Sequence, residues 1–253
     1  MIADDLALAL DPVLLAERVG IAPDVWQRDL LRATARRMLV NVTRQGGKSS
    51  IAAVLAVHVA IYNPGSLVLL VSPSLRQSGE LFLKCISTYR AAGRPVPSTA
   101  ETLLRLELSN GSRIISLPGS ETTTRGFSAP ALVILDEAAR ISDDLMMAIT
   151  PMLATAPNAR LILLSTPNGK QGAFWRYWSE GGDDWQRVEV PASAVPRISP
   201  RFLEEERRSM PSAWFRQEYE SSFEQAEDAV FRYEDVRAAF SDDVQPLFGG
   251  AAP

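Results

Sequence analysis

The sequence predicts an α/β fold in which a mostly parallel sheet carries helices on both of its faces. Three short apolar runs, at residues 67–72, 131–135 and 160–164, have the composition of strands that are buried on both faces. Helical segments separate these runs, and strands that alternate with helices along a chain build parallel sheets. Because such sheets bind ligands at the carboxyl ends of their strands, we expect the functional residues at that edge.

Ahead of the first buried run, the sequence predicts a helix, a strand and a second helix. Apolar residues recur at helical spacing through residues 13–37, and Pro23-Asp24 is a suitable helix start. A short apolar strand follows at residues 39–43. An alanine- and valine-rich helix then covers residues 51–62 and ends at Asn63-Pro64-Gly65, which favours a turn.

The middle of the chain predicts a further helix and an antiparallel hairpin. The helix covers residues 76–91. Residues 103–117 alternate between apolar and polar and turn at Asn110-Gly111, a dipeptide that favours tight hairpin turns.

From about residue 191 the composition changes, and the sequence predicts a small helical linker subdomain. Prolines separate short charged helices at residues 202–208 and 213–221. We therefore divide the chain into a core at residues 1–190 and a helical linker with an acidic tail at residues 191–253.

The composition excludes several classes of protein. The chain has one cysteine, Cys85, and one histidine, His58, which excludes an internal disulfide, a zinc cluster and a histidine-based catalytic triad. Both residues are expected to be structural, on apolar helix faces. The acidic start at Asp4 and Asp5 argues against a signal peptide, and no apolar run is long enough to cross a membrane. These features predict a cytosolic protein, and its net charge of −4 restricts any nucleic-acid contact to a local patch.

A glycine-rich loop between a predicted strand and a predicted helix has the composition of a phosphate-binding loop. Gly47-Lys48-Ser49 supplies the second half of the usual signature, although Val42 stands where its first glycine is expected. Gly46 and Gly47 let backbone N–H groups approach phosphate oxygens, and the following helix adds its positive end. Lys48, one of three lysines among 26 basic residues, suits the β- and γ-phosphates, and Ser49 suits magnesium. The alternative is an ordinary glycine-rich turn with a solvated lysine.

A second motif is the pair Asp136-Glu137 at the end of a buried strand. Asp136 is suited to hold magnesium through its water shell, and Glu137 to polarise an attacking water. The alternative is a helix start, because acidic residues are favoured in a first turn. Together with the glycine-rich loop, the pair predicts a P-loop NTPase of the RecA/ASCE type that binds ATP and Mg²⁺.

The motifs and their order resemble the N-terminal ATPase half of the large subunit of phage terminase, the DNA-packaging motor. The resemblance extends over about residues 20–235. It is carried by Trp26-Gln27, Arg44-Gln45-Gly46-Gly47-Lys48-Ser49, Thr124-Arg125-Gly126-Phe127, Ser165-Thr166-Pro167-Asn168-Gly169, and Trp214-Phe215-Arg216-Gln217-Glu218-Tyr219 with Phe223 and Val230-Phe231. The family normally continues into a nuclease domain with a carboxylate cluster, for which Asp242-Asp243 is no substitute. We therefore expect a truncated ATPase half without nuclease activity.

The resemblance implies a motor that hydrolyses ATP to move double-stranded DNA into a procapsid. Such motors work as homo-oligomeric rings with a portal protein and a small terminase subunit, in the cytoplasm of the bacterial host, and we expect the isolated chain to be a monomer. Ser165 and Thr166 are implied to couple the γ-phosphate to movement of the linker, and the alternative is an ordinary turn at the end of a strand. The residues implied to bind the nucleotide are Gln27, Arg44, Gln45, Gly46, Gly47, Lys48, Ser49 and Ser50.

Three further site residues also have competing interpretations. Gln27 either hydrogen-bonds adenine or is an exposed helix residue. Arg44 either stabilises charge on the γ-phosphate of its own subunit or pairs with Glu137. Arg140 either points away from its own phosphate loop, as an arginine finger for the neighbouring subunit, or forms a local ion pair with Glu137. Trp26 is expected in the core rather than as a stacking platform.

The DNA contacts are the least specific feature of the sequence. The candidate residues are Arg28, Arg32 and Arg36, which would form a basic stripe at helical spacing, or Arg94, Arg105 and Arg113. Contacts to phosphates would give little sequence preference and strong salt dependence.

Two other functions fit the motifs. One is a helicase-type translocase, although no second motor domain follows Gly169, and the other is a nucleotide-binding subunit that tethers DNA without turnover.

Overall fold

The buried aliphatic runs form the centre of an eight-stranded sheet. The computed structural model of the chain describes residues 2–119, 126–156, 158–225 and 238–239. Within these residues the strand order is β3-β4-β5-β2-β6-β7-β1-β8. The strands are Arg37–Val42 (β1), Leu67–Ser72 (β2), Ser98–Glu101 (β3), Arg105–Leu108 (β4), Arg113–Pro118 (β5), Leu132–Asp136 (β6), Arg160–Ser165 (β7) and Gln186–Val190 (β8).

Most of this sheet is parallel. The neighbours from β5 through β2, β6, β7 and β1 to β8 all pair in parallel, and only β3 and β4 add antiparallel pairs at one edge. The predicted mostly parallel sheet and the predicted hairpin are both confirmed. Because β5 also pairs with β2, the hairpin extends the main sheet instead of standing apart from it.

Helices cover both faces of the sheet. They are Ile2–Leu10 (α1), Pro12–Arg18 (α2), Val25–Arg32 (α3), Lys48–Tyr62 (α4), Leu75–Ala91 (α5), Asp143–Ile149 (α6), Gly172–Glu180 (α7), Pro200–Ser209 (α8) and Ser212–Tyr219 (α9). Side chains alternate between faces along a strand. In β6, Leu132 and Ile134 pack among α1 to α5, whereas Val133 and Leu135 pack with α6 and α7. Burial on both faces explains why the central strands are uniformly apolar.

The predicted helix over residues 13–37 is wrong in its middle and at its end. The chain forms two helices there, α2 and α3, separated by Gly20 in a left-handed conformation (φ 82°) that suits glycine. The second helix stops because Ala33 is extended (ψ 137°), and Arg37 already begins β1. Helical spacing cannot reveal this change. Met38 continues the apolar pattern of the helix, but it lies on strand β1 and is apolar because that strand is buried in the core.

Five helices and strands of the described structure have no counterpart with stated bounds in the sequence analysis: α1, β3, α6, α7 and β8. Both missed strands lie at the two edges of the sheet, where one neighbour is absent and side chains remain partly exposed. Edge strands need fewer apolar residues than central ones, so the apolar pattern that reveals β2 or β6 is weak in them.

The chain after β8 forms two short helices and then returns to the core. α8 and α9 lie close to their predicted positions, and Phe215 and Tyr219 bury a small cluster with Ala192. Phe223 then packs on the second face of the sheet, with its ring centroid 4.8 Å from that of Trp175. The division into a core and a linker at residues 190 and 191 stays a prediction.

Some sequence features lie outside the described residues, namely Thr124-Arg125, Val230-Phe231 and Asp242-Asp243. In the described part of the chain, no helix combines the length and the apolar composition needed to cross a membrane.

Candidate functional site

Three neighbouring parallel strands carry the predicted site residues to one edge of the sheet. In the order β6-β7-β1, the strand that ends at Asp136 and the strand that leads into the glycine-rich loop lie on either side of β7. The register pairs Asp136 with Leu164 and Asn41 with Ser165, so the three strands end at nearly the same level. Residues that are distant in sequence therefore come within the distance of a hydrogen bond or an ion pair.

The glycine-rich loop is shaped by steric limits at two positions. Gly47 adopts φ 91°, which favours glycine, and α4 begins at the next residue, Lys48. A side chain at Gly46 would place its Cβ 2.5 Å from Val42 Cγ1 and 3.1 Å from the carbonyl oxygen of Thr43. Val42, the departure from the usual signature, thus fills the space beside Gly46 and makes glycine necessary there.

Ser49 and Asp136 form an adjacent pair of oxygen donors. Ser49 Oγ donates to Asp136 Oδ2 at 2.9 Å, and the backbone N–H of Glu137 donates to Oδ1 at 3.1 Å. Burial raises the pKa of Asp136, while the positive charge of Lys48 opposes that rise. A hydroxyl and a carboxylate are ligand types that Mg²⁺ takes in proteins, so this donor set fits the ion.

Glu137 lies between two cations. Its Oε1 is 2.8 Å from Lys48 Nζ and its Oε2 is 3.0 Å from Arg140 Nη1. The backbone of Glu137 is left-handed (φ 55°), a conformation that costs a non-glycine residue of the order of 1–3 kcal/mol. Its side chain makes no capping hydrogen bond to the short 3₁₀ turn Ala138–Arg140 that follows. Glu137 nevertheless stands at the start of that turn, so the helix-start alternative stays compatible with the structure.

Of the two directions left open for the Arg140 side chain, the structure shows the local one. Arg140 does not point away from its own phosphate loop, because the tight turn that follows Glu137 brings it back to pair with that residue. The local ion pair is thus the interpretation observed in this structure. Both side chains border a cleft of about 260 Å³ that is lined by Arg44, Lys48, Gln77, Glu137, Arg140, Thr166 and Glu218.

Gln27 is buried, so its interpretation as an exposed helix residue is wrong. Its side-chain Oε1 accepts from the backbone N–H of Asp24 at 2.9 Å, and its Nε2 donates to the Gly46 carbonyl at 3.4 Å. The amide therefore links the start of α3 to the glycine-rich loop. Trp26, next to it, is buried in the core as expected.

Arg44 is an exposed residue of the cleft lining, and it pairs with Glu218 and not with Glu137. Its guanidinium Nη1 lies 3.7 Å from Glu218 Oε2, and its backbone N–H donates to the Glu218 carbonyl at 3.0 Å. Gln45, next to it, is exposed and left-handed (φ 61°), and Ser50 lies in the first turn of α4.

Ser165 and Thr166 are buried at the end of β7, between the glycine-rich loop and the turn that follows Asp136. Ser165 Oγ accepts from the backbone N–H of Ala139 at 3.1 Å and donates to the Thr166 carbonyl at 2.7 Å. Further along this segment, the backbone N–H of Gly169 donates to Gln217 Oε1 at 3.1 Å. The segment after β7 thus contacts the turn that carries Glu137 on one side and α9 on the other.

Two neighbours of the site were missed by sequence reasoning. Glu218 reaches the loop from α9, and its carbonyl also accepts from Thr43 Oγ1 at 3.0 Å. Arg197 donates from Nη2 to the Gly46 carbonyl at 3.0 Å. Glu218 lies in a segment that carries the family resemblance, which was an available signal, whereas Arg197 has no motif around it.

The predicted basic stripe on one helix is not formed. Arg28 and Arg32 lie on α3 and pair with Glu17 and Asp11, at 3.4 and 2.6 Å. Arg36 lies beyond the end of that helix, so the three arginines share no helical face. Of the other candidates, Arg94 and Arg105 form ion pairs with Glu101 and Glu107, and Arg113 is exposed.

Cys85 and His58 lie in the helical layer and not at the site. Cys85 is fully buried, and burial raises the pKa of its thiol to about 12. His58 Nε2 lies 2.9 Å from the Leu8 carbonyl, and partial burial lowers the pKa of the ring. These contacts agree with the structural roles expected from the sequence.

Strand order and loop positions together define the class of this protein. A glycine-rich loop after β1, an acidic pair after β6 and the insertion of β7 between them form the RecA/ASCE type of P-loop fold. The chain belongs to the family described as terminase large subunit, T4likevirus-type, N-terminal, whose model matches residues 40–238. The resemblance inferred from the motifs is confirmed.

Known relatives give the same result. The chain is 29% identical over 251 residues to the terminase large subunit of Thermus virus P23-45, covering 85% of this chain and 51% of the relative. It is 27% identical over 224 residues to that of Escherichia phage T5, covering 84% and 50%. Among solved structures, the large terminase ATPase domain of Thermus phage P74-26 matches with a TM-score of 0.72 and 25% identity, covering 82% and 96%. The chain spans about half the length of the curated relatives it matches.

Proposed function

We propose that this chain is the ATP-hydrolysing motor part of a phage terminase large subunit, and that hydrolysis drives double-stranded DNA into a procapsid. The observation that carries the proposal is the contact of Lys48 and Ser49, in the glycine-rich loop, with the Asp136-Glu137 pair. Family membership supports the same activity, since the P74-26 structure of matching fold is described as an ATPase domain.

The glycine-rich loop binds the triphosphate in this proposal. Backbone N–H groups from Gln45 to Ser50 surround the phosphate oxygens, and the N-terminal end of α4 adds its positive potential. Lys48 faces Glu137 in the free protein and turns to the β- and γ-phosphates when ATP binds, which releases Glu137 Oε1. When bound at Ser49 and Asp136, Mg²⁺ neutralises charge on the phosphates.

Gln27 recognises the adenine base in this proposal. Its buried amide uses one N–H and one lone pair to bond with Gly46 and Asp24, and retains one of each. A free N–H and a free lone pair match N7 and the N6 amino group of adenine. Both internal hydrogen bonds fix the plane of the amide.

Glu137 acts as the group that polarises the attacking water, and two arginines stabilise the charge that develops on the γ-phosphate. Arg44 serves in its own subunit, because it lines the same cleft as Lys48 and its side chain is mostly exposed. Arg140 is the second, acting either on its own subunit or on the neighbouring one.

Arg140 can be assigned by mixing two inactive variants under conditions that assemble the ring. Lys48→Ala cannot bind ATP but retains Arg140, and Arg140→Ala binds ATP but lacks the arginine. If Arg140 acts on the neighbouring subunit, the mixture regains ATP hydrolysis. The rate then recovers part of the roughly 10³–10⁵-fold acceleration that an inserted arginine provides. We expect no restoration, because Arg140 pairs with Glu137 of its own subunit and lines its own cleft. A mixture that assembles and stays inactive would restrict Arg140 to its own subunit, and full activity of assembled Arg140→Ala would remove it from the mechanism.

Ser165 and Thr166 couple the nucleotide to the linker in this proposal. The hydrogen bond from Ala139 to Ser165 ties the segment to the turn of Glu137, and the contact of Gly169 with Gln217 ties it to α9. A change at the γ-phosphate is thereby transmitted to residues 191–253, the proposed linker subdomain.

We expect alanine at both Ser165 and Thr166 to leave ATP affinity within about threefold of wild type and to uncouple hydrolysis from packaging. Each hydroxyl hydrogen bond contributes only about 1 kcal/mol to stability, but it sets the direction of the segment after β7. The measurement is DNA length packaged per ATP hydrolysed by the full-length motor. Ser179→Ala, on α7, is a matched control whose hydroxyl bonds only within its own helix. A normal ratio in the double variant would refute the coupling role.

The partners follow from the family. We infer that the subunit assembles as a homo-oligomeric ring with a portal protein and a small terminase subunit, in the host cytoplasm. DNA is held through phosphates, for which exposed Arg113 and Arg36 are available candidates.

Phosphate release by the purified chain, with and without double-stranded DNA, tests the proposed function. A terminase motor hydrolyses ATP and responds to duplex DNA without unwinding it. Strand separation would instead identify a helicase-type translocase, and nucleotide binding without phosphate release would identify a DNA-tethering subunit.

A further inference from the structure

Arg197 connects the glycine-rich loop with two distant parts of the chain. It follows β8 and precedes α8, and its Nη1 lies 2.8 Å from Asp24 Oδ2 at the start of α3. Its Nη2 donates to the Gly46 carbonyl at 3.0 Å. Gln27 Nε2 donates to the same oxygen at 3.4 Å, so one loop carbonyl receives two side-chain N–H groups.

The Gly46 carbonyl controls the direction of the next N–H group. A trans peptide is planar, and its C=O and N–H point in opposite directions. Holding the Gly46 oxygen toward Arg197 therefore aims the N–H of Gly47 to the other side of the loop. Two consecutive glycines leave this peptide free to rotate, because neither carries a Cβ that restricts its backbone. A fixed donor to the Gly46 carbonyl is needed to keep one orientation.

The guanidinium is itself held in place. Asp24 is an almost buried carboxylate, with 11% of its side chain exposed, and the hydrogen bonds of an arginine to a carboxylate and a carbonyl are charge-assisted. The arginine fork spans both acceptors at fixed spacing, which a lysine ammonium does not. A substituent at Gly47 would also meet Arg197 Nη2 at 3.1 Å and Gln27 Nε2 at 2.8 Å. The two donors thus pack directly behind the loop.

We propose that Arg197 is a positioning residue that holds the peptide between Gly46 and Gly47 in the orientation needed to bind phosphate. Asp24 orients the guanidinium, and Gln27 assists at the same carbonyl. The inference rests on the proposed ATP site and adds to it a residue from the segment that leads into the linker helices. Loss of Arg197 leaves the loop able to rotate away from its binding conformation, which weakens nucleotide binding without unfolding the chain.

Titration with a fluorescent ATP analogue tests this inference, with the unfolding temperature measured in the absence of nucleotide. We expect Arg197→Ala to bind about tenfold or more weakly, the scale of a lost charge-assisted hydrogen bond, and Arg197→Lys to recover part of the loss. Its unfolding temperature should fall by less than about 4 °C, the effect of about 1 kcal/mol in a chain of this size. In steady-state assays, KM for ATP should rise more than kcat falls. Arg201→Ala is the matched control, because Arg201 is 89% exposed and pairs with Glu205 on its own helix.

A double-mutant cycle separates positioning from general stabilisation. Asp24→Asn keeps a good helix N-cap and removes the charge that orients Arg197. If the two residues act as one unit, the double variant Asp24→Asn, Arg197→Ala binds no more weakly than Arg197→Ala alone. Additive losses, or affinity of Arg197→Ala within twofold of wild type, would overturn the inference. Failure of the wild-type chain to bind the analogue, or wild-type affinity in Lys48→Ala, would overturn the proposed ATP site as well.

Discussion

Replacement of Lys48 by alanine is expected to abolish tight binding of ATP. In the proposed site, the ammonium of Lys48 in the first turn of α4 supplies the positive charge that faces the β- and γ-phosphates, and alanine leaves the negative charge of these phosphates without that partner. Removing one partner of a charge-assisted interaction in a partly buried site costs about 1.5–3 kcal/mol or more, which corresponds to at least about tenfold in affinity. The carboxylate of Glu137 keeps Arg140 as a partner, so the fold is expected to persist.

The test is a titration of wild type and Lys48→Ala with a fluorescent ATP analogue. Lys84→Ala is the matched control, because Lys84 is exposed on α5 and lies outside the cleft. We expect it to bind as wild type does. Wild-type affinity in Lys48→Ala would exclude the glycine-rich loop as the phosphate site.

Replacement of Glu137 by glutamine is expected to leave ATP binding intact and to slow hydrolysis by at least about 100-fold, the scale of a lost general base. The amide keeps the shape of the side chain and its left-handed backbone, but it no longer draws a proton from the attacking water. Binding is retained because glutamine also removes the negative charge that competes with the phosphates for Lys48.

Single-turnover hydrolysis measures this effect without contributions from product release. Glu205→Gln provides the same carboxylate-to-amide change at an exposed position on α8, and its rate should equal that of wild type. A rate near wild type in Glu137→Gln would leave Glu137 with only its ion pairs to Lys48 and Arg140.

The central fold could be predicted because its signals are local. A strand buried on both faces must be apolar throughout, so residues 67–72 identify β2 with the bounds that the structure gives. The hairpin follows from the tight turn at Asn110-Gly111 in the same way. The predicted helix over residues 13–37 runs past the end of α3. A continuous apolar pattern does not distinguish the end of a helix from the start of strand β1.

The same local signals located the chemistry of the candidate site. A strand of a parallel sheet delivers whatever follows it to the carboxyl edge, so the glycine-rich loop and the Asp136-Glu137 pair had to lie at one edge. The contact of Ser49 with Asp136 follows once β1 and β6 are separated only by β7. Sequence alone thus determined the fold class, the edge of the sheet that carries the site and the central residues of that site.

The directions and partners of the surrounding side chains were decided only by the tertiary structure. The tight turn Ala138–Arg140 sends Arg140 toward its own cleft, although its spacing from Glu137 was equally compatible with the opposite direction. Gln27 is buried and Arg197 reaches Gly46 from 151 positions away in the chain. Such contacts depend on how helices and the linker pack against the sheet, and the free energy of that packing is distributed over many residues, so no local pattern encodes it.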